Sequence, residues 1–248
     1  MKTSSNIQFS VIIPSYNSEN VVEESVERIC KIFEEKKITC EIILVNDGST
    51  DNTLKIIQSI EKRKSHVKVI TYPKNMGKGF AVRNGINNSV GEWVMYTDSD
   101  LDISFDFFDD YLQHIKKYDI IVVSKYHHLS KVSVPKSRKI LSKLFTMTMH
   151  SIIGLNIADT QVGFKIGRGD LMRKIFAITK INGFAFDVEF LCISTLLSSS
   201  IIERPVKMNP CDKYTYSQLT RLSLKMLYQL FKILFNFKIT HYYQKKLS

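Results

Sequence analysis

The chain has 248 residues, of which 44% are hydrophobic and 24% charged, which is typical of a globular protein with one large core and excludes a disordered or fibrous chain. Its net charge of +11 indicates an anionic partner, such as a phosphorylated substrate or a membrane surface. Nucleic acid is not expected as that partner, because the sequence has no zinc-ligand spacing and no RNA-recognition or helix-turn-helix signature.

Cysteine usage and hydropathy indicate the cellular compartment in which the protein works. The four cysteines are scattered and form no C-x-x-C pair, which favours reduced thiols in a cytosolic protein. The apolar run near the amino terminus is short and stops at Pro14, so we expect no signal peptide. No stretch of about twenty residues lacks charge. We therefore expect no transmembrane helix, and a chain that stays on the side of the membrane where it is made.

The first part of the sequence predicts strands that alternate with helices. Residues 9–13 form a β-rich run, and Pro14 ends this strand because proline cannot donate to a sheet ladder. A helix follows, with Asn17 or Ser18 as its N-cap, because apolar residues recur at helical spacing at Val22, Val26, Ile29 and Phe33. The next predicted elements are a strand at 41–46, a helix carrying Leu54, Ile57 and Ile60, a strand at 67–72, a helix over 81–86 and a strand from Trp93. This order is typical of a mostly parallel sheet with helices on both faces.

The stretch WVMYTDSDLD, residues 93–102, joins an apolar strand to three carboxylates, Asp98, Asp100 and Asp102. Open α/β sheets bind their ligands at the carboxyl ends of the strands. Hard oxygen ligands in so short a span suit Mg²⁺ or Mn²⁺, with water and substrate phosphates completing the shell. The alternative is a solvated acidic turn or a helix cap.

Two further polar turns, PSYNSE at 14–19 and NDGSTD at 46–51, follow the first two predicted strands. Tyr16 can stack on a nucleobase and Asp47 can accept a base N–H, although each turn alone also fits an ordinary turn or helix cap. Their shared position favours a nucleotide pocket. The sequence has no G-x-G-x-x-G after the first strand and no P-loop, which argues against a dinucleotide cofactor.

Five motifs, VIIPSYNSE, LVNDGSTDNT, NMGKGFAVRNG, TDSDLD and DTQVGFK, occur in this order. Together they resemble the family 2 glycosyltransferases, and among these the polyprenyl-phosphate sugar synthases such as the dolichyl-phosphate mannose and glucose synthases. The resemblance runs over residues 9–206. It implies an α/β, Rossmann-like GT-A fold with a mostly parallel central sheet, in a catalytic domain over 1–212. Residues 213–248 are predicted from their own pattern, described below, to form a C-terminal amphipathic helix at a membrane interface.

The resemblance implies an inverting, metal-dependent transfer of a hexose from UDP-glucose or GDP-mannose to a polyprenyl or dolichyl phosphate. KGFAVRNG resembles the glucosyl branch more, which favours UDP-glucose. The implied donor contacts are Pro14, Tyr16, Glu19 and Asp47 for the nucleoside, Lys78 and Arg83 for the phosphates or sugar, and Asp98, Asp100 and Asp102 for Mg²⁺ or Mn²⁺. Mannose synthases commonly have glutamine where Asp102 stands. Alternatively, Lys78 and Arg83 are solvent-exposed charges at the start of a helix, without a contact to the donor.

The acceptor side is predicted from a strand over 119–124, which ends at Lys125, and from a helix beyond it. Arg138 and Ser142 are four residues apart and so share one helix face, where they can bind one phosphate. The spacing R-K-x-x-S-x-x-F, which begins at Arg138, resembles the lipid-phosphate segment of this branch. At the separate position of Lys125 the branch usually has an arginine, and a lysine there cannot bind a phosphate with two parallel hydrogen bonds. Alternatively, Arg138 and Lys139 are only solvent-exposed charges on the surface of the helix.

Two later motifs carry further candidates. DTQVGFK resembles the segment that closes over the sugar and acceptor, and Gln161 is the candidate there for a sugar hydroxyl or the metal shell. In the stretch 183–189, Asp187 is predicted to orient a hydroxyl or the acceptor, while Glu189 fits equally well as the partner of an arginine. The predicted catalytic residues are Asp100, Arg138, Gln161 and Asp187.

The tail over 217–238 has a two-sided helical pattern. One face carries Leu222, Met226, Leu230, Ile233 and Phe237, and the opposite face carries Arg221, Lys225 and Lys232. The pattern fits a helix at a membrane interface, but it fits a helix packed on the protein's own core nearly as well. With the net charge, the first alternative predicts a peripheral protein on the cytosolic face of a membrane, or one that depends on a membrane-protein partner.

Two other functions remain compatible with the sequence. One is a family 2 glycosyltransferase that acts on a polysaccharide, a protein or a soluble acceptor. The other is a non-catalytic sugar-nucleotide-binding membrane protein, which the intact acidic and DTQVGFK motifs disfavour.

Overall fold

The computed structural model describes residues 7–132, 157–160, 162–208 and 216–247. Within these ranges the strands and helices, in chain order, are β1 (Phe9–Ser15), α1 (Val22–Glu35), β2 (Cys40–Asp47), α2 (Thr53–Arg63), β3 (Val67–Tyr72), α3 (Lys78–Asn87), β4 (Trp93–Tyr96), β5 (Ile103–Ser104), α4 (Phe108–His114), β6 (Ile120–Ser124), β7 (Lys165–Arg168), α5 (Gly169–Phe176), α6 (Phe186–Leu196), β8 (Ile201–Pro205), β9 (Lys207–Met208), α7 (Tyr216–Leu234) and α8 (Tyr242–Leu247). A 3₁₀ turn spans Phe105–Phe107, and a π-helical turn follows α7 at Phe235–Ile239.

The alternation of strands and helices predicted up to residue 96 is confirmed, with two local corrections. Strand β1 continues through Pro14 to Ser15, because β4 pairs with β1 only as far as Ile12 and no neighbour on that side needs the missing N–H. The N-cap of α1 is Val21, not Asn17 or Ser18. Ser18 supplies its carbonyl oxygen to the first N–H groups of the helix instead of its hydroxyl.

The chain divides into two compact units, and the first comprises Met1–Leu101 and Gly163–Ala177. Its strands lie in the order β3-β2-β1-β4-β7. The first four are parallel and β7 runs antiparallel to β4. Since the chain winds outward from β1 to β3 and then returns to place β4 on the other side of β1, the strand order reverses between β1 and β4. In α/β sheets this switch point is where ligands bind.

One buried carboxylate ties together the edge of this sheet that lies away from the switch point. Glu41, at the start of β2, accepts hydrogen bonds from Ser10 Oγ at 2.6 Å, Lys68 Nζ at 2.7 Å and the Val90 N–H at 2.8 Å. Burial alone would raise the pKa of Glu41, but these donors outweigh it, and the pKa is lowered below its ordinary value. The side chain therefore holds β1, β2, β3 and the turn before β4 in register.

The second unit comprises Asp102–Val162 and Ile178–Ser248. The strand predicted over 119–124 is confirmed as β6, which pairs in parallel with β8, and β5 pairs antiparallel with β9. Helix α4 is fixed to β8 by two polar contacts. Tyr111 Oη donates to the Pro205 carbonyl at 2.6 Å, and Asp110 pairs with Arg204. The domain boundary at residue 212 stays a prediction.

The C-terminal helix α7 uses part of its predicted apolar face inside the second unit. Leu230 and Ile233 are buried, and Met226 is half-buried, whereas the side chain of Leu222 lies outside the described residues. The part of this face that carries Leu230 and Ile233 therefore packs against the protein, and a position of the helix at a membrane interface stays a prediction. No helix in the described ranges is long and apolar enough to cross a membrane.

Candidate active site

The candidate site lies in the first unit, at the carboxyl ends of β1, β2 and β4, where polar turns follow all three strands. Hydrogen bonds join the first two turns. The Asn17 N–H donates to Ser49 Oγ at 3.0 Å, and the Thr50 N–H donates to Asn17 Oδ1 at 2.9 Å. Asn17 has a positive φ of 50°, a conformation that asparagine tolerates better than most residues. The two predicted nucleoside turns thus form one continuous surface.

Glu19 belongs to the same junction. Its carboxylate accepts the Asn52 N–H at 2.8 Å and the Asn52 side-chain amide at 2.9 Å, while its own N–H donates to Asp51 Oδ2 at 3.2 Å. Burial opposes ionisation of Asp51, but its hydrogen bonds with Thr53 and Glu19 prevail and lower its pKa. The contacts of Glu19 in the structure clamp the two turns together, and its predicted contact with the nucleoside stays a prediction.

Tyr16 and Asp47 stand in contrasting environments at this edge. The Tyr16 side chain is 49% exposed, so its ring is available for stacking. Asp47 is buried, and its carboxylate accepts the Met76 N–H at 2.7 Å and the Gly77 N–H at 3.0 Å. Asp47 therefore anchors the glycine-rich loop before α3. Gly48 makes the close approach possible, because it has a φ of 64° and a Cβ there would lie 2.4 Å from the Lys74 carbonyl carbon.

Asp98 and Lys78 form an ion pair beyond the end of β4. The Asp98 side chain is 36% exposed and the Lys78 side chain 18% exposed. Gly163, from the DTQVGFK motif, lies against both. A Cβ at Gly163 would come within 2.3 Å of Asp98 Oδ2 and 2.9 Å of Lys78 Nζ, so the absence of a side chain leaves the space that the pair occupies. Three of the five sequence motifs meet at this point.

The acidic turn is held from its middle residue, Ser99. Its hydroxyl shares a hydrogen bond of 2.9 Å with Ser18 Oγ, and its carbonyl accepts from Ser25 Oγ at 2.7 Å. A bond of 3.2 Å from the Leu101 N–H to the Asp98 carbonyl closes the turn. Ser18 and Ser25, on the chain that follows β1, thus fix the backbone that carries Asp98 and Asp100, across the switch point of the sheet.

The residues of this turn offer hard oxygen donors of the kind that Mg²⁺ and Mn²⁺ take. Within the described ranges, no three His, Cys, Asp or Glu side chains come together as a group that could hold a metal. Two carboxylates still suit a divalent ion that completes its shell with water and substrate phosphates. The Asp98 carboxylate already faces a cation, so its surroundings accommodate positive charge. Asp102 is the first residue of the second unit, and its role stays a prediction.

Arg83 lies on helix α3, one turn after Lys78. Its guanidinium stacks over the Phe80 ring, 5.2 Å from the centroid, and the Phe80 ring in turn contacts Tyr72 edge-on at 5.1 Å. Burial, followed by the nearby Asp47 charge, raises the pKa of the Tyr72 hydroxyl, which keeps it neutral. The predicted contact of Arg83 with the donor stays a prediction.

In the second unit, the structure brings together two sequence-predicted segments. Lys125, at the end of β6, pairs with Asp159 of DTQVGFK, with 3.4 Å between Nζ and Oδ2, and its N–H donates to the same oxygen at 3.0 Å. Asp159 is buried, and its own N–H donates to Glu203 at 3.1 Å. Lys125 therefore has a fixed anionic partner, and binding of an acceptor phosphate by Lys125 stays a prediction.

The two acids of the stretch 183–189 are both buried in the first turn of α6. Glu189 accepts the N–H groups of Lys180 and Ile181, each at 2.8 Å, and the hydroxyl of Tyr243 at 2.6 Å. These three donors give Glu189 a structural role. Its pairing with an arginine stays a prediction. The role of Asp187 stays a prediction, and Arg138, Ser142 and Gln161 lie outside the described residues.

Sequence reasoning missed several residues that shape the site. Ser18 appeared only as a possible cap, and nothing in the local pattern of Ser25 or Ser99 indicates a contact between distant segments. Gly163 carried a signal, because a glycine inside a motif often marks a close approach. Lys165 was also missed: it is fully buried in β7 beside β4, and its ammonium lies 5.6 Å from the Tyr96 ring centroid.

Residues 10–176 match the family model described as "Glycosyl transferase family 2". A dolichyl-phosphate beta-glucosyltransferase of Dictyostelium discoideum is 34% identical over 222 residues, which cover 84% of this chain and 68% of that protein. The protein of the same name from Homo sapiens is 32% identical over 213 residues, covering 79% and 65%. The chain thus spans about two thirds of the length of these curated relatives.

Among solved structures, the chain is similar to glucosyl-3-phosphoglycerate synthase from Mycobacterium tuberculosis in complex with Mn²⁺, UDP-glucose and phosphoglyceric acid. The TM-score is 0.68 at 16% identity, over 93% of this chain and 80% of that one. At this identity the likeness shows the fold alone. It confirms the predicted α/β architecture with a mostly parallel sheet.

Proposed function

Because the chain belongs to glycosyl transferase family 2, has its GT-A fold and is a glycosyltransferase, we propose that it transfers glucose from UDP-glucose to a dolichyl phosphate. The observation that carries the proposal is the name shared by its relatives at 28% to 34% identity, dolichyl-phosphate beta-glucosyltransferase. In the reaction, an acceptor phosphate oxygen bonds to the anomeric carbon of glucose while the bond from that carbon to UDP breaks, so UDP leaves with the bonding electrons.

The surface formed by the first two turns is our proposed nucleoside pocket. Tyr16 is the exposed ring that stacks on the base, and the backbone around it is held by Asn17 and Glu19. Asp47 acts by fixing the loop that leads to Lys78. These groups are set by hydrogen bonds within the protein, so little ordering remains to be done when the donor binds.

Asp98 and Asp100 are our proposed ligands for Mg²⁺ or Mn²⁺, and solved structures of glucosyl-3-phosphoglycerate synthase, which has a similar fold, contain Mn²⁺ or Mg²⁺. The ion would supply a Lewis acid for the charge that develops on the departing diphosphate. Lys78 is paired with Asp98 and so brings a second positive charge to the same place. Ser18 and Ser25 keep the acidic turn in position through Ser99.

The acceptor needs no strong general base in this scheme. A phosphate monoester is largely ionised near neutral pH, since its second pKa is about 6. Catalysis then depends on holding the acceptor oxygen in line with the anomeric carbon. Lys125, Arg138 and Ser142 are the proposed phosphate contacts, and Asp187 and Gln161 are proposed to orient the sugar or the acceptor.

A donor panel tests the proposal. The full chain is incubated with radiolabelled UDP-glucose or GDP-mannose, dolichyl phosphate in detergent and Mg²⁺ or Mn²⁺, and label is measured in the organic phase. We expect transfer from UDP-glucose that requires the metal. Transfer from GDP-mannose alone, or to water-soluble acceptors but never to dolichyl phosphate, would reject the assignment.

The variants Asp98→Asn and Asp100→Asn should each lower kcat/KM about a hundredfold, because a preorganised charge at the leaving group is lost. Glu24→Gln is the matched control, since Glu24 is an exposed acid on α1. Circular dichroism checks that all three variants fold. Activity of both aspartate variants at the level of the control would remove these residues from the mechanism.

A further inference from the structure

The C-terminal segment exposes a row of large apolar side chains. Their exposed fractions are 60% for Leu227, 70% for Tyr228, 68% for Phe231, 43% for Phe235 and 66% for Ile239. We call these five residues the exposed row. Scattered apolar residues are normal on a protein surface, but a row of five in one helical segment marks an interaction site.

The exposed row is not the face that the sequence analysis singled out. At 100° per residue, Phe231 lies about 100° from Leu230 and about 160° from Ile233, the two residues that are buried. The helix is therefore apolar on two sides, and only one of them packs against the second unit. The side chains of the exposed row lie largely outside that packing and can contact a partner.

The charge of the segment indicates the chemistry of that occupant. Residues 216–247 contain no Asp or Glu, and they contain Arg221, Lys225, Lys232, Lys238, Lys245 and Lys246. Lys225, Lys232 and Lys238 are exposed alongside the exposed row. A helical segment that exposes apolar side chains and carries only cationic charges is complementary to a partner with an apolar interior and an anionic surface.

We propose that the exposed row inserts into the headgroup region of an anionic bilayer, with the flanking lysines on lipid phosphates and carboxylates. A bilayer fits better than a protein partner, because lysine is depleted from protein interfaces whereas aromatic rings and lysines gather at membrane interfaces. Long lysine side chains can keep the ammonium in the headgroup layer while their stems lie on hydrocarbon. Vesicle binding is measured without sugar transfer, so a failure of this proposal and a failure of the proposed function can be distinguished.

Vesicle co-flotation tests the inference with the full chain. The probes are vesicles of phosphatidylcholine alone and of phosphatidylcholine mixed with phosphatidylserine. We expect binding to the mixed vesicles, and L227S/F231S should weaken it at least tenfold, because two large apolar side chains no longer enter the bilayer. K225Q/K232Q should weaken binding to the mixed vesicles by about twenty-five-fold, which corresponds to about fivefold per lysine.

The matched controls are V90S/L129S, two exposed apolar residues outside the exposed row, and K55Q/K62Q, two exposed lysines on α2. Substitution is preferred to deletion of the tail, because Leu230, Ile233 and Tyr243 tie the tail to the protein. Equal binding by L227S/F231S and its control would overturn the inference. So would a concentration-dependent dimer that L227S/F231S abolishes without vesicle binding by the parent, since the occupant would then be a second copy.

Discussion

The candidate donor site depends on very short separations between single residues. Gly163 lies so close to Asp98 and Lys78 that a Cβ there would displace the Asp98 carboxylate, and Ser99 is held by two hydroxyl groups from the segment after β1. An acidic turn is common in proteins, but one whose middle residue is fixed from both its side chain and its carbonyl is preorganised. We interpret Ser18 and Ser25 as positioning residues for this reason.

Gly163→Ala should disturb the ion pair without removing any functional group. The new methyl would lie 2.3 Å from Asp98 Oδ2, so the carboxylate must move. We expect UDP-glucose to bind about tenfold more weakly, since the displaced Asp98 carboxylate and its ion pair with Lys78 would no longer be preorganised for the donor. Isothermal titration calorimetry with UDP-glucose and Mg²⁺ measures the effect. If the clash acts through the ion pair, the loss of binding free energy in G163A/K78A should be much smaller than the sum of the losses in G163A and K78A. A loss equal to that sum would contradict the interpretation.

At the scale of elements, the end of the chain is attached to the second unit by one buried hydrogen-bonded acid. Glu189 receives two backbone N–H groups and the Tyr243 hydroxyl, and burial together with the Glu189 charge raises the pKa of that hydroxyl so that it stays protonated and can donate. Lys180 adds a contact of 3.5 Å to the neighbouring Tyr242 ring. The last helix is therefore fixed by specific contacts.

Tyr243→Phe should lower the free energy of unfolding by about 1–3 kcal/mol, because a buried carboxylate loses a donor. Tyr242→Phe is the matched control, since it keeps the ring that Lys180 contacts. Urea denaturation followed by circular dichroism compares the two. A loss in Tyr243→Phe no larger than in the control would show that the hydroxyl contact contributes little to the attachment.

At the scale of the whole molecule, stability should depend on pH through groups far from the site. The pKa of Glu41 is lowered in the folded protein, so its contribution is complete above its ordinary pKa of 4.5 and is lost as the pH falls through the lowered value. In Glu41→Gln the side chain cannot ionise. This variant should be less stable than the parent at pH 7, and the difference should shrink below pH 4.5.

Urea titrations of Glu41→Gln and the parent across this pH range measure the difference, with Glu24→Gln as an exposed control. The expected loss at pH 7 is about 1–3 kcal/mol, because Ser10, Lys68 and Val90 would lose a charged acceptor. A difference that stayed constant from neutral to acid pH would assign the effect of the substitution to packing and not to ionisation.

The amino-acid sequence by itself determined the order of strands and helices up to residue 96, because apolar periodicity and turn residues act locally. It also determined the family, since five motifs in fixed order leave little room for coincidence, and it indicated that the polar turns share one edge of a parallel sheet. These features depend on residues that are near one another in the chain.

Only the tertiary structure decided which distant residues meet. The approach of Gly163 to Asp98, the clamp of Ser18 and Ser25 on Ser99, and the bond between Tyr243 and Glu189 join segments that have no local pattern in common. The tail shows the same limit. Periodicity identified an apolar face, but only the packing revealed that Leu230 and Ile233 of this face are buried. The packing also revealed that the exposed row remains on the surface. The physical reason is that burial is a property of what surrounds a helix, which its own sequence does not contain.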